Sequence, residues 1–505
     1  MFRTNQSRTP FGYLLSFTLI ICFACAGKTA GTEQKPKQGI DGLPSPKHLD
    51  KLTEELWAGY YIFGKKAGYV HFDVRKDGNV YRASSKARLK IRGLGDTREI
   101  SVDEIRDYSA QDGRLVRAQM VMRGHEKREI LLEERSGEYT VTETIGAEKK
   151  VTTIPPPGET LKGVAGAQIH IWEGNTAPGT SYERFSFRVV PPLYAKATKT
   201  KVLFESSEKR FLQGVEAVFH VVKQVEEELG LEMTAVYTSE GNLVRIDQGG
   251  GISVRVESES VAKSMAEAPD VLDLTLIRVD PPIRGVSALE SIDLRITMQN
   301  FPPSFDTERI EILQKNGNQA TIRIKRMPKT PGTTERTAPT VGLESTNLIQ
   351  ATAPEVISLA KELVSDAVSA NDKVERLIKG VQSRVKKAYR PELASALDVI
   401  RTMEGDCTEH AVLFVALARS LGIPARVLVG LTHTSMMGGG FGGHAWAEVW
   451  LEGRWRPVDP AFGQTEADVG HIPFNVGTID IRTMLALSAS LRDIQIEVIN
   501  KTQAK

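Results

Sequence analysis

Gly405-Asp406-Cys407-Thr408-Glu409-His410-Ala411, running on to Leu421-Gly422-Ile423-Pro424-Ala425-Arg426, is the stretch on which the fold of the C-terminal region turns. Asp406 is suited to an N-cap, and Glu409 follows it by three residues, the spacing of a capping box. Cys407 then becomes the first helical residue. There the unpaired backbone N–H groups and the positive end of the helix dipole favour a thiolate. From Ala411 to Leu421 only Arg419 and Ser420 are polar, so the helix is expected inside protein, with Gly422 as its stop. The pattern predicts a reactive thiol on a rigid central helix. A small, inert core residue is the competing reading.

Around this helix the periodicity changes. Pro354 suits a first helical turn, with Val356, Leu359, Leu363 and Ala367 on one face. Asn371 and Asp372 offer a cap for a second helix carrying Val374, Leu377, Ile378, Val381 and Val385, and a short helical run covers Ala396–Met403. Strand-like segments follow at Ala425–Leu431, His444–Leu451 and Trp455–Val458. Helices first and strands after predict an α+β domain, its cysteine helix packed on an antiparallel sheet.

A thiol nucleophile needs a base, and the base an orienting group. Strand alternation places His444, Trp446, Glu448 and Trp450 on one face. Glu452-Gly453 closes a two-residue hairpin, so Trp450 faces Trp455, Glu448 faces Pro457 and Trp446 faces Asp459. Asp459 then lies one diagonal step from His444, about 7–8 Å between backbones and within side-chain reach. A three-residue loop would turn it to the opposite face. The spacing permits a Cys–His–Asp set without placing Cys407 beside it.

These segments, together with Val429-Gly430, His444-Ala445-Trp446-Ala447-Glu448-Val449 and Pro457-Val458-Asp459-Pro460, resemble the transglutaminase-like superfamily of papain-related cysteine enzymes over roughly residues 355–465. The resemblance implies Cys407 as nucleophile, His444 as base and Asp459 as orienter. It also implies attack on an amide carbonyl, with a thioester resolved by water or by a primary amine. His444 would hold Cys407 as a thiolate–imidazolium pair. The Cys407 N–H is a natural oxyanion donor, and by resemblance Tyr389 is a candidate for a second. Bacterial members include proteases, amidases and cross-linkers, so the family defines reaction type better than substrate. No acidic cluster of the kind found in calcium-dependent members is identified, and no metal or cofactor is expected.

Blander roles stand beside these. Cys407-x-x-His410 is half a zinc motif that His433, His444 or Asp459 would have to complete; a structural His410 is favoured. Glu448 is a rival orienter, but a salt bridge with Arg426 suits it better. Trp446, Trp450 and Trp455 read as core or site wall. Met436–Gly443, with five glycines, is either a mobile flap or a plain loop.

Upstream, Trp57 to about Ser264 is β-rich. Turn signals at Asp77-Gly78-Asn79, Asp112-Gly113, Ser136-Gly137 and Glu240-Gly241-Asn242 separate alternating runs, predicting a large antiparallel sheet or curled half-barrel. Pro155-Pro156-Pro157 and Pro191-Pro192 are breaks, and Trp57, Tyr60, Tyr61 and Phe63 read as core. The organisation expected is an export signal over 1–26, a tether over 27–50, an antiparallel β domain over 51–265 and a small β domain over 271–327. A Pro/Thr/Gly-rich linker over 328–350 and the cysteine-enzyme domain over 351–490 complete it.

Arg3 and Arg8 precede an apolar run from Tyr13 to Ala24, too short for a comfortable membrane span and laid out as an export signal. Ala24-Cys25-Ala26 fits cleavage by a signal peptidase. Cys22-Phe23-Ala24-Cys25 instead resembles a bacterial lipoprotein box with lipid on Cys25, the reading preferred here. Cys22, Cys25 and Cys407 are the only cysteines among 505 residues, so the exported chain would hold no disulfide partner for Cys407. A formal net charge of +2 without a compact basic patch argues against nucleic-acid binding. The expected protein is an exported, membrane-anchored cysteine hydrolase acting on a protein or peptide of the cell envelope. A transamidase, or a non-enzymatic envelope assembly protein with a scaffold cysteine domain, are the alternatives; the oligomeric state is open.

Overall fold

A computed structural model describes residues 44–45, 48–49 and 55–503, apart from 94, 125–126, 147, 191–193, 213–214, 227–230, 266, 299–300, 302–308, 328–338, 340, 389–392, 436–438, 478–490 and 492. The export signal with Cys25, nearly all of the tether, most of the linker, and Tyr389 lie outside the described residues. No helix of the described residues is long and apolar enough to cross a membrane. The described chain falls into two compact units, formed chiefly by the β-rich region up to residue 269 and by residues 270–505.

The first unit is the large antiparallel sheet predicted from the turn signals. Its fourteen described strands pair with their sequence neighbours except that Glu148–Ile154 does not pair with Ser181–Val190, and Leu56–Ile62 also pairs with the last strand, Ile252–Val256. The sheet stays open, with Glu148–Ile154 and Ser181–Val190 as its two edges. Tight turns enforce the meander: Ser136 and Gly137 both take positive φ, the geometry that a two-residue hairpin demands. Tyr60 and Phe63 are core residues, whereas Trp57 and Tyr61 are half-buried.

In the second unit the longer helices of the described residues are α1 (Pro354–Leu363), α2 (Ala370–Arg384), α3 (Ala396–Thr402) and α4 (Cys407–Ser420). Its main strands are β1 (Ile277–Arg278), β2 (Leu289–Thr297), β3 (Ile310–Asn316), β4 (Gln319–Lys325), β5 (Ala425–Thr434), β6 (Gly440–Leu451), β7 (Arg454–Val458), β8 (His471–Val476) and β9 (Gln495–Gln503). One sheet runs β1-β6-β5-β8, with β7 also paired to β6; the other runs β3-β4-β2-β9. A single apolar cluster joins both sheets to the helices, from Leu289 and Ile322 through Val356 and Phe414 to Val449 and Ile496. Residues 271–327 therefore share a core with the cysteine domain, and β9, beyond residue 490, completes their sheet.

Three local expectations shift. The N-cap of α2 is Ser369, not Asn371 or Asp372: its hydroxyl accepts from the Asp372 N–H, while the Asp372 carboxylate accepts from Val368 N–H. Helix α1 ends at Leu363, so Ala367 lies beyond it. The glycine-rich flap is partly strand, because Gly440–Gly443 pair with Leu431–Thr434 on β5, and Phe441 also pairs with Ile277. Gly440 permits that approach, since a Cβ there would sit 2.5 Å from the Ile277 carbonyl oxygen. Met436–Gly438 lie outside the described residues.

Candidate active site

Helix α4 begins as its caps dictate. The Asp406 carboxylate accepts from the Thr408 N–H at 2.9 Å, and Asp406 N–H donates to Glu409 Oε2 at 2.9 Å, completing the capping box. Gly405 leaves room for this return, because a Cβ there would lie 2.3 Å from Cβ of Glu409. Every residue from Cys407 to Arg419 is buried. Gly422, at φ +73°, ends the run. Cys407 is in no disulfide and has 0% exposure.

The sheet beneath carries the candidate base. Glu452 and Gly453 take φ of 53° and 75°, closing β6 and β7 in two residues. Trp450 consequently pairs with Trp455 and Glu448 with Pro457, the predicted register. That register brings His444 and Asp459 together: Nε2 of His444 donates to Asp459 Oδ2 at 2.7 Å, and both side chains are fully buried. The other ring nitrogen, Nδ1, is buried with no hydrogen-bond partner among the described residues. Asp459 Oδ1 accepts from Ala461 N–H at 2.8 Å and Phe462 N–H at 3.0 Å, and the Phe462 ring stacks on His444 with centroids 4.6 Å apart.

Cys407 joins this pair through shared surroundings. Helix α4 packs on β6. The two-residue strand Lys386–Lys387 runs parallel to Glu404–Gly405, placing Lys387 beside the start of α4. Burial lowers the Lys387 pKa, and Asp459, with Cys407 in its thiolate form, pushes it back up. The Lys387 ammonium also lies 5.7 Å from the centroid of the Phe462 ring. One lysine thus neighbours Cys407, the Asp459 carboxylate and the stacked Phe462 ring.

Sequence reasoning missed His471 and Asp468. His471, on β8, places Nε2 3.1 Å from Asp459 Oδ2 and Nδ1 3.1 Å from Asp468 Oδ1. Burial opposes its charge, but the two carboxylates raise its pKa to about 9. Burial would raise the Asp459 pKa, yet His444 and His471 hold it far below the usual carboxylate range. For His444 burial wins over Asp459, and the imidazole is held neutral below its ordinary pKa. This direction favours a neutral acceptor at rest over the resting imidazolium that the sequence suggested. The spacing Asp468-x-x-His471 was the one available signal, and nothing in it pointed at Asp459.

The remaining candidates take structural roles. Nδ1 of His410 contacts the Asp406 carbonyl at 2.5 Å, and burial lowers the His410 pKa to about 4. Glu448 is no orienter: Arg426 donates to its Oε2 from Nε at 2.9 Å and Nη2 at 2.7 Å. Among the described residues, the cluster with metal-ligand spacing is His444, Asp459 and His471, without Cys407 or His410. Both nitrogens in it bond to one carboxylate oxygen, a geometry already explained by N–H donors. Trp446, Trp450 and Trp455, with Arg309, Arg426 and His471, help line a cavity of about 190 Å³.

A thiol at the head of a buried helix, over an antiparallel sheet carrying a bonded His–Asp pair, is the architecture of a cysteine-enzyme domain. Residues 357–460 match the family model of the transglutaminase-like superfamily, and the C-terminal region of the chain carries a transglutaminase-like domain. Kyphoscoliosis peptidase of Homo sapiens is 30% identical over 100 residues, 19% of this chain and 14% of that protein. Its Mus musculus counterpart is 29% identical over 100 residues, with the same shares. The chain thus spans 14% of the length of the curated relatives it matches. A solved structure from Cytophaga hutchinsonii, provisionally described as a cysteine protease, aligns at 18% identity with a TM-score of 0.28, covering 43% of this chain and 87% of its own. A beta-barrel-like protein of a domain of unknown function from Brucella abortus aligns at 9% identity with a TM-score of 0.29, covering 40% and 94%.

Proposed function

We propose that the protein is an exported cysteine-dependent acyl-transfer enzyme that hydrolyses amide bonds of a protein or peptide in the cell envelope, with Cys407, His444 and Asp459 as its catalytic residues. The observation that carries this is the buried His444–Asp459 bond. It fixes the proton on Nε2 and leaves Nδ1 as a lone-pair acceptor without a partner among the described residues. Nδ1 takes the Cys407 proton as Sγ bonds to the amide carbon. The Cys407 N–H at the helix start receives the oxyanion. The imidazolium then gives its proton to the departing amine as the C–N bond breaks, leaving a thioester. Water, deprotonated by Nδ1, cleaves the thioester and restores the thiol.

Cys407, His444 and Asp459 all have 0% exposure, so this chemistry requires the surrounding chain to open before a polymer reaches the thiol. The peptidase names among the relatives favour hydrolysis, and the leader-like layout of residues 1–26, with its lipoprotein-like box ending at Cys25, is the reason for proposing the envelope. The test is a proteome-wide comparison of cells carrying the native chain and Cys407→Ala. New chain termini that depend on Cys407 support hydrolysis. Cys407-dependent cross-links without new termini would instead indicate transamidation, and no difference would leave the domain a scaffold.

A further inference from the structure

We propose that His471 is a positioning residue of this site: held as an imidazolium between Asp459 and Asp468, it fixes the Asp459 carboxylate and sets the basicity of His444. The inference rests on the reading of His444 as the base. Residue 471 lies beyond the 357–460 match, so the family model does not supply it.

Geometry carries the protonation state. Carboxylates only accept hydrogen bonds, and both His471 nitrogens face one, Nε2 to Asp459 and Nδ1 to Asp468, each at 3.1 Å. A neutral ring has one N–H and would leave one of these contacts as two opposed lone pairs. All of the groups involved are buried, so no solvent relieves such a contact. Asp468 is itself anchored: its Oδ1 accepts from Gly470 N–H at 2.9 Å, and Gln464 Nε2 donates to its Oδ2 at 2.9 Å. The pKa of about 9 agrees with the geometry.

Two consequences follow for His444. Asp459 Oδ2 accepts from both histidines, so its second donor stops the carboxylate from rotating away from His444. The His471 ring lies 5.8 Å from the His444 ring, and its positive charge opposes a second one there. His444 is thereby kept neutral, ready to accept the thiol proton. The other charged groups around His471 do not reverse this. Glu448, on β6, is paired with Arg426 on β5. Arg309 donates to the Asp468 carbonyl at 2.9 Å, and Lys387 adds positive charge on the Asp459 side. His433, on β5 beside Gly470, has its pKa lowered by burial to about 4 and is neutral.

The test uses the full chain and two readouts. Imidazole ¹H–¹⁵N correlation spectra of the native protein should show His471 protonated on both nitrogens at pH 7.5; a neutral-tautomer pattern would overturn the proposal. Second, the pH midpoint of Cys407 alkylation is compared in native protein, His471→Gln and Asp468→Asn. The first variant removes the positive charge and should move the midpoint upward, by about one pH unit for a like charge removed at this separation, whereas the second removes its counter-charge and should move the midpoint downward. A lower rate with an unmoved midpoint in the folded variants would mean a merely structural role and overturn the proposal. His444→Ala separates the underlying reading: if it leaves native alkylation unchanged, His444 is not the base and the proposed coupling falls with it, while the spectra still decide the charge of His471.

Discussion

Nε2 of His444 lies 2.7 Å from Oδ2 of Asp459 in a fully buried pocket, and the hairpin between them closes in two residues. Their contact depends on register. One more residue in that turn would put Asp459 on the other face of the sheet.

Removing the carboxylate should therefore have two effects. Asp459→Asn keeps the shape but leaves the His471 cation facing an amide, a partly unpaired buried charge that costs roughly 3 kcal/mol. It also frees the His444 tautomer. Chemical denaturation should show the first effect. A fall of about 100-fold or more in processing of the substrate found by the terminus comparison should show the second.

The start of α4 makes a separate prediction. Asp406→Ala deletes the acceptor for Thr408 N–H and should destabilise the protein by about 1–2 kcal/mol, measured as a lower urea midpoint at unchanged slope. Asp406→Asn, which can still cap, should recover most of it.

Gly430 sits opposite His444 on β5 and next to β8. A Cβ there would lie 2.1 Å from the Ile472 carbonyl oxygen and 2.9 Å from Phe474 N. Gly430→Ala must push β5 and β8 apart, displacing His471 from Asp459. We expect a loss of about 1–3 kcal/mol, together with a changed His471 imidazole spectrum.

Stability should also depend on pH at both ends. His471 is raised from 6.5 to about 9 in the folded protein, so its contribution is complete below pH 6.5 and is lost as pH rises towards 9. Asp459 and Asp468 are depressed, so theirs is present above the unfolded carboxylate range and is lost as pH falls below about 4. His410, His433 and His444 are held neutral by burial, so their contribution is lost as pH falls below about 6.5, and thermal unfolding across pH 3–10 should peak near pH 6.5 and fall on both sides. In His471→Gln the alkaline fall attributable to this group should disappear.

The parts legible in the sequence are those governed by local rules. The capping box at Asp406 and Glu409, the apolar run behind Cys407 and the stop at Gly422 are all set within one helix. The Trp450–Trp455 register follows from a two-residue turn and a period of two. His471 was hidden because it arrives on β8, whose pairing with β5 is long-range and shifts register between Val429 and Gly430. The same holds for β9, which reaches the sheet of β2 from nearly 200 residues along the chain. The cap of α2 was misplaced because Ser369, Asn371 and Asp372 are all capping residue types, and only the hydrogen bonds choose between them.

The central claim is that His444 activates Cys407, and the pH dependence of Cys407 alkylation tests it most directly. At limiting reagent, the native chain should react with a midpoint well below the 8.5 of a free thiol, below about 6.5 where His444 loses its proton, and His444→Ala should return the midpoint towards 8.5. A midpoint near 8.5 in both proteins would contradict the account and leave Cys407 a core thiol.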